Sequence, residues 1–284
     1  AGSFYRGEKG QDDNPVSRIT LPGPFYVART LTTVQQWRSF IDDHGYDDDR
    51  WWSPQAREWL TGSLDRSKLT LETYRNRLAL RPAAQRRQPW RWDEQRSFGQ
   101  RPVWGICWFE ARAYARWLNE KLAQERAVAG LHDWQVRLPT EDQWERTARA
   151  SSPLQADTRR WPWGDDERAA GRQANVPDAK LAQACAVGLF PPNPVGIYDL
   201  AGNLWEWQDN LYADQASLGQ AHSRLTDEAS LKSDEDEANS SEAALRGGAW
   251  SFATQSARCA CRNGDLPDFF DAGVGLRVVL SQTQ

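Results

Sequence analysis

The sequence predicts an α+β fold with short antiparallel sheets, two main helices and long irregular loops, in one domain spanning 1–284. Three observations predict it. Clear helical periodicity is confined to a few short segments, Gly, Pro and Asn punctuate the rest, and no internal repeat or second domain shows. The 284 residues include 16 Trp, many paired or nearly so, as in Trp51-Trp52, Trp161-Pro162-Trp163 and Trp205-Glu206-Trp207. Such side chains serve as core and strut contacts in a loop-rich fold.

Taken in order, Pro15 to Leu21 and Phe25 to Ala28 read as extended segments around a Pro-Gly-Pro break. Thr32-Thr33 opens a helix whose apolar positions Val34, Trp37, Phe40 and Ile41 share one face, and Gly45 stops it. Residues 46–100 have poor periodicity and read as a surface excursion with short helical pieces, one over Leu69 to Leu80. The clearest helix lies within 101–127, starting at Trp108, with Ala111, Tyr114, Ala115 and Leu118 on a face and Gly130 beyond it. Thr140 and Gln143 form a T-x-x-Q capping box for a helix through Trp144, Ala148 and Ala150. Turns set the backbone from Trp161 to Asn210, and 227–242 is an acidic, solvated loop. Arg246 to Trp250 and Gly275 to Leu280 read as stiff strands. Between them, Ser251 to Val274 is a filling of small, acidic, thiol and aromatic residues with no period.

Composition narrows the function classes. The net charge of -4 argues against nucleic-acid binding, which calls for a basic stripe. No apolar stretch reaches the roughly 18 residues needed to span a bilayer, so membrane insertion is not expected. Four cysteines make no disulfide framework, and free reduced thiols favour a cytoplasmic setting. No signal peptide is visible, but the start at Ala1 leaves surface display through a missing upstream segment open. Arg outnumbers Lys 30 to 5, which reads as a GC-rich genome with a thermophilic source as the alternative.

The strings Gly196-Ile197-Tyr198-Asp199-Leu200-Ala201-Gly202-Asn203-Leu204-Trp205-Glu206-Trp207 and Arg246-Gly247-Gly248-Ala249-Trp250 carry a family likeness. Shorter matches in the same order run from Phe4-Tyr5-Arg6-Gly7 through Arg137-Leu138-Pro139-Thr140 to Trp161-Pro162-Trp163-Gly164. The chain resembles the formylglycine-generating-enzyme (sulfatase-modifying factor) family over nearly its whole length, which implies a C-type-lectin-like fold. The resemblance implies a calcium site made by Asp199, Glu206 and the carbonyls of Gly202 and Leu204. The residues themselves allow a second reading, with Asp199 capping the turn and Glu206 paired to an arginine. Asn175 and Val176 match part of a second calcium site of the family.

Three functional branches follow from the resemblance. The formylglycine-generating branch requires a cysteine pair shortly after R-G-G-x-W, to hold copper. Phe252 and Ala257 stand near those places here, while Cys259 and Cys261 lie further on with the wrong spacing. The iron-dependent sulfoxide synthases use three histidines, mainly from a separate helical domain. His44, His132 and His222 are far apart and lack H-x-x-x-H spacing. Neither copper nor iron is therefore expected, and on the missing thiol pair the chain is expected not to be an enzyme.

The third branch comprises the variable proteins of diversity-generating retroelements, whose C-terminal variable region ends in G-[FL]-R-V-V. Gly275-Leu276-Arg277-Val278-Val279 matches that ending. Adenine randomisation turns AAC codons into NNC, which never encode Trp, Met, Lys, Glu or Gln. Between Ser251 and Val274 only Gln255 belongs to that excluded set. Residues 246–280 are thus expected to be a variable region that binds a protein or cell-surface ligand. The expected contacts are Ser251, Phe252, Ala253, Cys261, Asn263, Gly264, Asp265, Leu266, Phe269, Phe270, Asp271 and Ala272. Phe269-Phe270 among aspartates reads as a recognition cluster, with inward core packing as the alternative. An oxidative enzyme of the sulfoxide-synthase type is the alternative function.

Overall fold

The computed structural model describes residues 2–11, 14–67, 72–150, 159–212 and 242–282. His222, the acidic run 227–241 and Leu69 at the start of one expected helix lie outside them.

Three small sheets carry the described chain. Strands β1 (Gly2–Arg6) and β2 (Ser17–Leu21) form an antiparallel hairpin. Strand β3 (Phe25–Val27), the last strand β9 (Val279–Gln282) and β4 (Trp134–Arg137) form a second antiparallel sheet with β9 in its centre. The third runs β7 (Arg262–Asp265), β6 (Ala243–Arg246), β5 (Trp205–Leu211) and β8 (Val274–Gly275). Its β5–β8 pair is parallel, where only antiparallel pairing was expected.

Local chemistry explains the helix ends. Helix α1 (Val34–Asp42) starts at Thr33, whose hydroxyl accepts from the Gln36 backbone while the Gln36 amide oxygen accepts from the Thr33 N–H. Helix α2 (Pro54–Thr61) has Ser53 as N-cap, Pro at its first position and Gly62 as a left-handed stop. Helix α3 (Glu72–Ala79) lies inside the expected 69–80 piece and buries none of its residues. A short α4 (Trp92–Gln95) precedes α5 (Trp108–Lys121).

The 101–127 expectation divides at Leu122, and a separate α6 (Ala123–Val128) follows. Helix α7 (Glu141–Arg149) has the expected Thr140–Gln143 box, but it ends before Ala150, which turns left-handed at φ 49°. A four-residue α8 (Ala170–Gln173) completes the described helices. The expected α+β class holds, and α7 packs on β1, β2, β5 and β6 as a helix additional to α1 and α5.

The core is aromatic. Trp37 stacks on Tyr114 at 4.9 Å, Phe40 sits edge-on to both Trp37 and Tyr114, and Tyr46, Trp52, Trp59 and Phe109 continue the cluster. At its edge Glu110 is fully buried between the Tyr46 hydroxyl, 2.5 Å away, and both terminal nitrogens of Arg81, 2.6 and 2.7 Å away.

Candidate functional site

The tail is built as a frame. Strand β6 delivers Arg246 into a buried pocket, where it meets Glu145 at 2.5 Å and Glu141 at 3.1 Å. Burial alone would raise both carboxyls, but Arg262 and Arg246 hold Glu141 below its usual range, and Arg246 and Arg149 do the same for Glu145. The chain then turns at Gly247 and Gly248. A side chain on Gly248, at φ 71°, would sit 2.9 Å from the Ala257 backbone nitrogen. At the far end, Arg277 donates to Glu206 from two nitrogens at 2.9 and 3.0 Å, with both side chains fully buried. The expected strand 275–280 is in fact two short strands, β8 and β9, with Arg277 between them.

The filling is only partly a surface. Ser251, Phe252 and Ala253 are exposed, with Phe252 41% accessible and edge-on to Trp205 at 5.7 Å. Ser251 and Asp271 flank Gly273, since a Cβ there would lie 3.7 Å from Ser251 Oγ and 3.4 Å from Asp271 Oδ1. Trp250 donates to the Ala272 carbonyl at 3.4 Å. Ala272 and Leu266 are half-buried, and the Leu266 carbonyl accepts from the Phe269 N–H.

Two expected contacts are corrected. Phe270 is buried at 2%, tilted against Trp90 at 5.4 Å and beneath the Arg81 guanidinium, so it is core. Gly264 lies in β7 against Tyr212, whose Cγ would be 2.5 Å from any Cβ placed there, so it displays no side chain. Asn263 pairs with Leu245 inside the sheet, and the Cys261 carbonyl accepts from Arg246 at 2.9 Å, which ties both to the frame. Asp265 is half-buried, and burial pushes its carboxyl up to about 7, with Glu242 and Asp268 adding to the shift.

The structure also adds residues that the sequence reading missed. Arg66 pairs with Asp268 at 2.8 Å and Arg77 with Asp271 at 2.5 Å. The Tyr74 hydroxyl lies 3.3 Å from Asp268. Phe269 sits between the Tyr74 ring at 6.1 Å and the Arg77 guanidinium at 5.6 Å. Helix α3 therefore lies over the C-terminal loop as a cationic arm. Its signal was the arginine density of the segment after residue 65, but no periodicity tied it to residues about 190 positions away.

The family-implied calcium cage does not fit these residues. A cation already stands on Glu206, because Arg277 occupies both its oxygens. Asp199 instead accepts from the Gly188 N–H at 2.8 Å and from Asn203 at 3.4 Å. The turn expected at Gly202-Asn203 is present, with φ 68° and 62°. Gly202 is required there, since a Cβ would approach the Asn175 carbonyl oxygen to 2.2 Å. Glu206 thus follows the ion-pair reading, while Asp199 is held by the Gly188 N–H and the Asn203 side chain. Among the described residues, no group of three or more His, Cys, Asp or Glu could hold a metal ion.

Comparison with known proteins places this geometry. The sulfatase-modifying factor enzyme 1-like domain matches residues 1–282. A hercynine oxygenase from Mycolicibacterium smegmatis is 30% identical over 258 residues, covering 90% of this chain and 52% of that protein. A formylglycine-generating enzyme from Streptomyces coelicolor is 26% identical, covering 72% of this chain and 63% of its own length. The chain thus spans about half to two-thirds of these relatives. The solved structure of Treponema denticola variable protein 1 superposes with a TM-score of 0.61 at 18% identity, covering 100% of this chain and 93% of that one, a likeness of fold.

These relatives overturn the expectation that the chain is not an enzyme. Its similar family members carry enzyme names, one of them an oxygenase. The missing thiol pair bears only on the formylglycine-generating branch, whereas a relative at 30% identity carries the name of an oxygenase.

Proposed function

The chain belongs to the sulfatase-modifying factor enzyme 1-like family, and from that premise we propose that it is a ligand-binding member whose C-terminal loops form the recognition surface, as in the variable protein of a diversity-generating retroelement. One observation carries this reading, the contrast in burial along the tail. Arg246, Leu276 and Arg277 are at most 1% exposed, while Ser251, Phe252 and Ala253 between them stand free. Side chains on such a turn can change at little cost to the fold, because substitutions away from buried contacts usually fall within about 0.5 kcal/mol. The surface comprises Ser251, Phe252, Ala253, Asp265, Leu266, Phe269, Asp271 and Ala272, with a protein or cell-surface molecule as partner. Tyr74 and Arg77 of α3 complete it.

The test is genetic. A near-identical repeat of the 251–274 coding segment, differing at adenines and lying beside a reverse-transcriptase gene, supports the reading. A genome holding the gene without either would sink it.

The hercynine oxygenase likeness favours a second reading, in which the same loops form the substrate wall of an iron-dependent oxidative enzyme. Oxygen uptake by the full-length protein, measured with and without ferrous iron, tests the second reading. Iron-dependent uptake selects the second.

A further inference from the structure

Most buried indoles of this molecule have an assigned acceptor or one close by. Trp108 donates to the Gln208 carbonyl at 2.7 Å, Trp207 to the Ile106 carbonyl at 3.1 Å and Trp161 to the Thr254 carbonyl at 3.1 Å. Trp37 and Trp144 form no hydrogen bond of good geometry, but the Tyr46 oxygen and the Glu206 carboxylate lie beside them. Trp205 differs. It is 3% exposed, and among the described residues its Nε1–H has no partner. An indole N–H can only donate, and leaving such a donor dry costs about 1–3 kcal/mol. Its backbone is well held, since Trp205 N donates to the Gly273 carbonyl at 2.8 Å and the strand pairs with Val274. The unpaired group therefore sits on a rigid strand.

The most exposed aromatic of the tail packs on the Trp205 ring. Phe252 stands edge-on to it from the Ser251–Ala253 turn and keeps 41% of its own surface in water. The Phe252 backbone is anchored by its N–H to the Ala249 carbonyl at 3.0 Å, so its ring can swing without the turn unfolding. The rim near Gly273 holds Ser251 Oγ and Asp271 Oδ1, a hydroxyl and a carboxylate, which disfavours an anionic guest.

We propose that the Trp205 indole N–H is a binding-site donor for a neutral oxygen acceptor on the ligand, an amide carbonyl or a sugar hydroxyl, and that Phe252 is the movable cover over it. The proposal rests on the ligand-binding reading of the tail and assigns it one buried contact. A ligand that displaces the Phe252 ring and brings an acceptor gains a hydrogen bond that the free chain does not have. Specificity at this point is then set by a fixed strand residue, while residue 252 sets how readily the point opens.

The test is a titration of nitrogen-15-labelled protein, with the Trp205 indole signal assigned by its loss in Trp205→Phe. N-methylacetamide supplies the amide carbonyl and methyl β-glucoside the hydroxyl. A saturable shift of the Trp205 N–H with either probe is expected, and the responding probe identifies the source. The Trp108 signal should stay still, since its donor is already taken. In Phe252→Ala the midpoint should fall by up to about tenfold, the scale of one aromatic edge contact. If the Trp205 signal responds to neither probe in both proteins, the donor assignment is overturned while the ligand-binding reading stands. Absence of the template repeat sinks that reading and leaves the titration intact.

Discussion

The same pair of groups, an arginine and a carboxylate, is used in two regions of this molecule for opposite ends. Around Arg246 the pairs are sealed: Arg6–Asp142, Arg246–Glu145, Arg149–Glu145 and Arg262–Glu141 have side chains no more than 6% accessible. They tie the N-terminal hairpin, α7 and strands β6 and β7 into one block. Over the C-terminal loop the Arg77–Asp271 pair is 35% and 28% accessible, on a helix with no buried residue. In the sealed block, removing one member strands a charge away from water. At the Arg77–Asp271 pair, water reaches both members and can replace what is lost. The frame is therefore expected to be intolerant of substitution and the exposed face tolerant of it.

The largest expected effect tests the sealed block. Arg246→Ala leaves Glu145 and Glu141 short of a cation and should cost about 3–5 kcal/mol, read as a collapse of the urea midpoint or as insoluble expression. A loss below about 1 kcal/mol would erase the contrast between the two regions. Arg77→Glu should cost only about 1 kcal/mol or less while speeding hydrogen exchange across α3, and salt should have the same effect on the wild type. Unchanged exchange in both would show that the arm is held by something other than its ion pairs.

The Asp265 carboxyl gives a pH test. Its folded value of about 7 lies above the ordinary value near 4, so the folded chain binds the extra proton. Stability from this group is present at about pH 4 and is lost as pH rises towards and through 7. Asp265→Asn should flatten the melting temperature between those limits and raise it at pH 8. The smallest effect is expected from Ser251→Ala, within about 0.5 kcal/mol by urea unfolding, because the side chain is exposed.

Calcium tests the frame from another side. With Arg277 on Glu206, a chelator should leave the melting temperature unchanged, and a marked drop would restore the cage that the family resemblance implies.

Much was legible in the chain alone. The T-x-x-Q box fixed the start of α7 because capping needs only residues three apart, and the Trp37–Phe40 face was readable for the same reason. The two motif strings, with their Gly202 turn and Arg-Gly-Gly frame, placed the chain in its family, since their constraints are local backbone geometry. The tertiary structure alone decided what those strings face. Whether Phe270 is core and Phe269 half-open depends on Trp90, Arg81 and Tyr74, which lie far away in sequence. Whether Glu206 serves a metal or Arg277 depends on a partner 71 residues on. Periodicity reports which side of an element is apolar, but it carries no information on which distant charge will arrive at a buried carboxylate. That choice is made by packing, where each buried charge must find its partner or the fold fails.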